Sequence, residues 1–377
     1  MTTVFDEIGI LSAATENSVI AEARKQGKKI IGYFCSYVPE EIITAAGMVP
    51  YRMRAVEPHG TSRADAYYSS MNCTFSRSCF DKVLNGDFDF LDGVIFMNNC
   101  DHTRRMHDNW RHSGKGPEFI HMLYVPHVIT SDGEGKYREG LEKLVRELEK
   151  HYNVSITGTA LTEAIKLHNK KRALLRRINE TRKSPELPVK ASEMLRLMLS
   201  VTAMPVEHAN SLLERFLDAL NGRNVSEPGG MRMMLAGGCV EEPEHLEMME
   251  SLGAAIVADY ICLGSRYADR DVAAEGAPLS SITERYYRHL SCPRMMNDTR
   301  RRFDYILDTM KDYRARALVA EKLKFCMLFF GETFLYKEES KKHGYPLLVL
   351  EREYGDRTEG QQKTRIQAFI EQLRNFD

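Results

Sequence analysis

The sequence predicts an α/β protein of two parallel-sheet lobes with a helical segment between them. Three observations carry this. Short apolar runs alternate with helical patterns over residues 1–135. Residues 136–228 are almost purely helical in pattern and end in a linker, and alternation then resumes over residues 229–377. At 377 residues and 43% hydrophobic, the chain can bury two cores rather than one.

The opening residues read as one helix running to about Lys25. "KKIIGYFC" is an apolar run ending in a cysteine and reads as a buried parallel strand. "VPEEIITAAG" reads as a helix: Pro39 suits its first turn, Glu40 and Glu41 suit its N-terminal dipole, and Gly47 ends it. "MVPYRMRAV" is a second strand, "FSRSCFDKVLNG" a helix, "LDGVIFMNNC" a third strand and "EFIHMLYVPHV" a fourth. "YREGLEKLVRELEKHY", "ALTEAIKLHNKKRALLRRINETR" and "EMLRLMLSV" carry apolar residues at helical spacing, and "NGRNVSEPGG" is a breaker-rich linker. In the last lobe "MRMMLAGG", "AAIVADYI" and "YPLLVLERE" read as strands. "PEHLEMMESLG", "ETFLYKEESKKHG" and "GQQKTRIQAFIEQLRNF" read as helices, and "YILDTMKDYRARALVAEKLKFC" as a helix leading into a strand.

Charge is balanced, 52 Lys+Arg against 53 Asp+Glu, which excludes a basic nucleic-acid footprint. No apolar stretch reaches membrane-spanning length, and the N-terminus has no signal-peptide pattern, so a soluble cytoplasmic protein is expected. In a reducing cytoplasm the 8 cysteines are thiols or metal ligands rather than a disulfide framework. Taken singly, most read as small buried hydrophobes. Their placement is less bland. Cys35, Cys100 and Cys326 each close a strand-like run, and Cys239 follows one across Gly237 and Gly238. Ligands of open parallel sheets bind beyond those strand ends. Cys73 and Cys79 sit at the entry to a helix, where N–H groups favour a thiolate. The spacing is not that of zinc ribbons or ferredoxins, so on spacing alone a metal centre stays open.

The blocks "IIGYFCSYVPEEIITAAGMVP", "MNCTFSRSCFDKVLNG", "GVIFMNNCDHTRRMHDNW", "LKFCMLFFGE" and "YPLLVLEREYGDRTEGQQKTRIQAFIEQL" occur in an order that resembles the 2-hydroxyacyl-CoA dehydratase / benzoyl-CoA reductase family, small iron–sulfur subunit type. The resemblance covers nearly the whole chain and is weakest in the helical middle. It implies two flavodoxin-like (Rossmann-like) lobes around a [4Fe-4S] cluster held by three cysteines, here Cys73, Cys100 and Cys326, with one iron lacking a protein thiolate. It implies anaerobic radical chemistry on an acyl-CoA: either 2-hydroxyacyl-CoA dehydration through a ketyl radical, a lyase reaction, or reduction of an aromatic ring, an oxidoreductase reaction. A non-catalytic electron-relay subunit is a further option. An ATP-dependent iron–sulfur activator supplies the electron, and this chain has no GxxxxGK[ST] loop of its own. The partner is a related subunit or a second copy in a dimer. A branch of the family carries a double cubane held by more cysteines, and this chain has cysteines to spare. Which acyl-CoA is used is not specified by these motifs.

Other residues complete the expectation. Glu40 or Glu41 would act as general acid/base beside the cluster, one facing the cleft and the other the surface or a partner chain, with Ser36 hydrogen bonding in the same cleft. Arg104 and Arg105, with His102, would hold CoA phosphates or a carboxylate, or else form a solvated loop or a subunit interface. Cys35, Cys79, Cys239, Cys262 and Cys292 read as packing or near neighbours of the cluster, and Trp110 as core. Gly237 and Gly238 resemble a weak phosphate turn. Glu351, Tyr354, Gln361 and Arg365 would orient the strand that ends at Cys326.

Overall fold

The computed structural model describes residues 2–56, 60–223, 230–355 and 359–375. Helices α1 (Val4–Ala13) and α2 (Ser18–Lys25) lead into β1 (Ile30–Tyr33), α3 (Glu40–Ala45), β2 (Val49–Arg52), α4 (Thr74–Asn85), β3 (Gly93–Met97), α5 (Asp101–Ser113) and β4 (Phe119–Leu123). Four helices follow: α6 (Ser131–Tyr152), α7 (Gly158–Thr181), α8 (Ala191–Val201) and α9 (Val206–Ala219). The second lobe runs β5 (Met231–Gly237), α10 (Pro243–Ser251), β6 (Ala254–Tyr260), α11 (Pro278–Arg288), α12 (Thr299–Asp312), β7 (Ala317–Leu323), α13 (Met327–His343), β8 (Leu347–Arg352) and α14 (Glu359–Arg374).

Both sheets are parallel and wired alike, β2-β1-β3-β4 and β6-β5-β7-β8. In each, the second strand pairs outside the first and the third crosses to the other side. The switch points therefore lie between β1 and β3 and between β5 and β7, where crevices open beyond the strand ends. This is the expected flavodoxin-like pair of lobes. The central strands β1 and β3 are buried throughout, because helices cover both faces of a parallel sheet.

The intervening helices are shared out. Tyr137, Leu141, Leu144 and Leu148 of α6 pack into the first lobe with Ile31 and Ile95. Leu195 and Leu199 of α8 join Met233, Ile256 and Val319 of the second. The lobes also meet directly. Tyr286, Tyr287 and Met295 belong to the core cluster built on Ile31 and Ile95, and Arg294 donates to the Val125 and Pro126 carbonyls at 2.7 and 3.0 Å.

Four details differ from the sequence reading. The N-terminal helix is two helices, because Asn17 Oδ1 accepts the Val19 and Ile20 N–H groups at 3.0 Å and starts a new one. Pro39 is the N-cap of α3 rather than part of its first turn. Residues 101–113 form α5, whose buried face of Thr103, Met106, His107 and Trp110 has helical spacing but carries few apolar residues. Helix α13 begins at Met327, directly after Cys326 and ahead of the stretch read as helical. Most of the linker read at 221–230 lies outside the described residues. Among the described residues no helix is long and apolar enough to cross a membrane.

Candidate functional site

Cys73, Cys100 and Cys326 share one local geometry: each is the N-cap of a helix, of α4, α5 and α13 respectively. A Ser, Thr, Asp or Asn oxygen usually caps that position. Here a sulfur faces the free N–H groups of the first turn: Phe75 and Ser76 at Cys73, His102 and Thr103 at Cys100, Phe329 at Cys326. Thr103 Oγ1 also lies 3.4 Å from the Cys100 sulfur. Two of the helices come from the first lobe and one from the second, so the trio spans the interlobe crevice. The sulfurs are close enough to act on one another. Burial pushes the Cys73 thiol up to about 12, with Cys100 adding to it. Burial also raises Cys326, where Cys73 and Cys100 both contribute.

Cys35, Cys239 and Cys262 follow β1, β5 and β6 into the same crevice. The Cys239 and Cys262 thiols interact, which holds Cys262 down and Cys239 well up. Arg266 Nη1 lies 3.6 Å from the Cys262 sulfur. Cys262 in turn acts on Cys326 and Cys35, and Cys73 acts on Cys239. Six thiols thus converge beyond the carboxyl ends of β1, β2, β3, β5, β6 and β7. Cys79 is buried against Cys73, and Cys292 adjoins Cys35. All eight are free thiols. Among the described residues no three His, Cys, Asp or Glu side chains close around a single metal ion. A multi-iron core takes its thiolates at separate corners and does not need that convergence.

Charged groups in this crevice lack partners. Arg52, at the end of β2, is 3% exposed, yet its Nε and Nη1 have no hydrogen-bond partner. Glu241, two residues after Cys239, is buried, and its Oε1 is unpartnered while Oε2 accepts from Tyr354 at 3.1 Å. Burial lifts the Glu241 carboxyl to about 7, against the pull of Arg52.

Glu40 and Glu41 are placed otherwise than expected. Neither faces the surface: both are buried, at 2% and 0% exposure. Glu40 accepts from Lys171 Nζ at 2.7 Å and from the phenols of Tyr33 and Tyr267, with His168 Nδ1 at 3.2 Å. Glu41 forms an ion pair with Arg172 Nη2 at 2.8 Å and accepts from the Tyr286 hydroxyl at 2.6 Å. Burial alone would raise both carboxyls. For Glu40, Lys171 and His168 outweigh it and hold the group well below the carboxylate range. For Glu41, Arg172 leads and the carboxyl falls to about 2. This ionic seam joins α3, α7 and the second lobe. Sequence reading missed its cations, Lys171 and Arg172, because charged residues on a long helix read as solvated. Ser36 is buried in the turn before α3.

His102 bridges the cysteine segments. Its Nδ1 lies 3.0 Å from Asn72 Oδ1, next to Cys73, and its Nε2 lies 2.9 Å from the Phe325 carbonyl, next to Cys326. Arg104 and Arg105 are exposed on α5. Trp110 is fully buried and donates to the Lys115 carbonyl at 2.9 Å. Gly237 and Gly238 are glycines for close packing. A Cβ at Gly237 would meet the Glu321 carbonyl oxygen at 2.8 Å, and one at Gly238 the Phe329 ring at 2.9 Å. In the final block, Glu351 pairs with Lys322 of β7 at 2.5 Å and Arg365 donates to the Val349 carbonyl at 2.7 Å. Tyr354 stacks edge-on against Phe75 beside Cys73, with centroids 5.2 Å apart. Gln361 is exposed.

Comparison with known proteins places the chain among acyl-CoA enzyme subunits by similarity. The family model described as 2-hydroxyglutaryl-CoA dehydratase, D-component, matches residues 35–373. The (R)-phenyllactyl-CoA dehydratase beta subunit of Clostridium sporogenes is 22% identical over 355 residues, 94% of each chain. One of the subunits of benzoyl-CoA reductase from Thauera aromatica is 27% identical over 305 residues, 79% of each chain. The beta subunit of (R)-2-hydroxyglutaryl-CoA dehydratase from Acidaminococcus fermentans is 26% identical over 369 residues, 96% of this chain and 97% of its own.

Proposed function

The chain belongs to the 2-hydroxyglutaryl-CoA dehydratase D-component family, and from that premise we propose that it is the iron–sulfur subunit of a radical acyl-CoA enzyme, with 2-hydroxyacyl-CoA dehydration as the reaction. One observation carries the reading: three cysteines from two lobes each cap a helix at one crevice. That donor set fits an iron–sulfur core. Thiolates are its ligands, and N–H groups aimed at sulfur stabilise the negative charge that ligation leaves there. The raised thiols are no obstacle, since metal ligation releases the proton. Cys73, Cys100 and Cys326 would hold a [4Fe-4S] cluster, which when bound supplies a low-potential electron and an iron open to an oxygen ligand. The chain's own part is to exclude water by burial, to fix the sulfurs through α4, α5 and α13, and to brace the lobes through His102. The exposed Arg104 and Arg105 are available to CoA phosphates at the mouth.

Relatives from both reaction classes match this chain, and the relatives are named as subunits. We therefore read it as needing a related partner chain or a second copy, and an ATP-dependent activator, in a cytoplasm reducing enough to keep eight thiols free. Iron and sulfide analysis of anaerobically purified protein tests the cluster, and protein without iron overturns it. Adding an acyl-CoA to the reduced protein while recording its EPR spectrum separates a substrate-binding subunit, with a perturbed spectrum, from an electron relay, with an unchanged one. For Glu40 and Glu41 we infer a structural role, and with it for the buried turn of Ser36. A Glu40→Gln or Glu41→Gln protein that kept its stability and iron yet lost turnover would instead assign acid–base chemistry there.

A second reading has its own observation. Cys35, Cys239 and Cys262 form another thiol set in the same crevice, linked to the first through Cys73 and Cys326. This supports a double-cubane reductase. Iron content decides between the two readings, roughly four irons per chain for one cubane against roughly eight for two.

A further inference from the structure

The described residues include ten buried arginines, and nine of them have partners for the side chain. Arg54 donates to the Leu199 and Ser12 carbonyls at 3.1 and 3.0 Å. Arg302 meets Glu332 at 2.7 Å, Arg352 meets Glu242 at 2.8 Å, and Arg182 meets Asp259 at 3.1 Å. Among the described residues, Arg52 alone of the ten has no side-chain hydrogen bond and no ion pair. Its backbone is fixed, with its N–H donating to the Thr202 carbonyl at 2.8 Å, so the residue is not loosely placed. Its guanidinium lies 5.5 Å from the Tyr33 ring centroid, and the Tyr33 hydroxyl is already committed to Glu40.

An uncompensated buried cation is among the costliest features a fold can carry. A ring face offsets part of that, as cation–π attraction does for a desolvated arginine. It leaves the N–H groups unmet. Among the groups whose fields couple to Arg52 are Tyr33, Cys35, Cys79, Glu241 and Cys262. Glu241, the one carboxylate among them, makes no ion pair with it and instead accepts from Tyr354. Apart from the Tyr33 ring, the remaining neighbours are thiols. A site built for a substrate carboxylate would offer several hard donors, whereas this one offers soft sulfur ligands around one cation.

We propose that Arg52 is the built-in counter-charge for an anionic iron–sulfur group bound at the crevice thiols, so that it fixes that group's charge state and potential while ligating nothing. This rests on the iron–sulfur reading above. Arg52 is a positioning residue in this account. It acts through the anion's electrostatics and not on the substrate.

The test is a reversal of sign between two forms of the full chain. In metal-free protein Arg52→Met removes an unmatched buried charge, so its thermal midpoint should rise. In anaerobically iron-loaded protein the same substitution should lower iron retention under chelator challenge and shift the midpoint potential to more negative values, because an added electron loses its nearby cation. Arg52→Lys, which keeps the charge, should retain iron and potential close to the parent protein. Should Arg52→Met lower the metal-free midpoint and leave the potential of iron-loaded protein unmoved, Arg52 is a packing residue over Tyr33 and the proposal is overturned. A parent protein that takes up no iron and sulfide overturns the cluster reading itself, an outcome visible before any variant is made.

Discussion

Two buried polar regions lie side by side where the lobes meet, and they are built on opposite principles. In the seam of Glu40, Glu41, Lys171 and Arg172, every oxygen of the two carboxylates is met by a cation or a phenol. In the crevice of Arg52, Glu241 and the cysteines, a guanidinium and a carboxylate oxygen stay unmet and six thiols face one another. The charged groups of both regions are buried, although most of the crevice cysteines are only half-buried, so burial of charge cannot tell function from structure here. Satisfaction can. The seam pairs each carboxylate with a cation inside the chain, although Glu41 Oε1, Arg172 Nε and His168 Nδ1 make no hydrogen bond among the described residues, whereas in the crevice a whole guanidinium has neither an ion pair nor a hydrogen bond among them.

The largest expected effect breaks the crevice. Replacing Cys73, Cys100 or Cys326 with Ser should remove most of the iron from anaerobically purified protein, and Cys292→Ser should keep it. Folding should survive, because a Ser at an N-cap is an ordinary helix start. Full iron in Cys100→Ser, measured per folded chain, would sink the ligand assignment.

The next effect breaks the seam. Lys171→Met leaves Glu40 buried without its strongest cation, and removing one partner of such a pair costs about 3–5 kcal/mol. Denaturant unfolding should show that loss, while iron per folded chain stays at the parent level. A variant with unchanged stability but no iron would place the seam inside the cofactor site and end the distinction between the two regions.

Much of this was legible in the sequence, for reasons that differ by residue. The sheets showed themselves because parallel strands buried on both faces read as continuous apolar runs, as "KKIIGYFC" and "LDGVIFMNNC" do. Cys100 and Cys326 stood out because a strand end is a fixed landmark. The unread parts lack an apolar run: the buried face of α5 is helically spaced but made of Thr103, Met106, His107 and Trp110. Helix α5 is polar on most of its surface. Its termini did announce it, with Asp101 in the first turn, Arg111 and His112 in the last, and Gly114 at φ 65° as its left-handed cap. The seam was unreadable because its pairs join residues more than a hundred positions apart, Lys171 to Glu40 and Tyr286 to Glu41. Arg52 ends a strand and looks like any surface arginine until the fold closes over it.

A pH measurement sharpens the comparison further. The Glu41 carboxyl sits at about 2 in the folded chain against an ordinary 4.5. A depressed carboxyl contributes stability that is fully present above pH 4.5 and is lost as pH falls toward 2. Its size is about 3 kcal/mol. Glu41→Gln should therefore flatten the acid limb of the stability profile between those values and cost stability at neutral pH. An acid limb identical to the parent's would mean that Arg172 does not hold Glu41 charged.

The smallest effect concerns the brace between the regions. His102 is only partly buried, and its two contacts, 3.0 Å to Asn72 and 2.9 Å to the Phe325 carbonyl, are single hydrogen bonds worth about 1 kcal/mol each. Their placement gives them leverage. Asn72 adjoins Cys73 and is oriented by its own bond to the Ser69 carbonyl at 3.0 Å. Phe325 adjoins Cys326 and holds φ at 63°, a left-handed backbone that a phenylalanine rarely adopts. His102 itself stands two residues after Cys100. One ring thus ties all three ligand-bearing segments across the lobes while touching no sulfur. His102→Ala should keep its iron through anaerobic purification and lose about 1–2 kcal/mol of stability. It should also release iron to a chelator several times faster than the parent, because the Cys326 segment is freed from the first lobe. Immediate loss of all iron, as in the cysteine variants, would make the imidazole a ligand. Release at the parent rate would show that helices α4, α5 and α13 hold the three sulfurs without the brace.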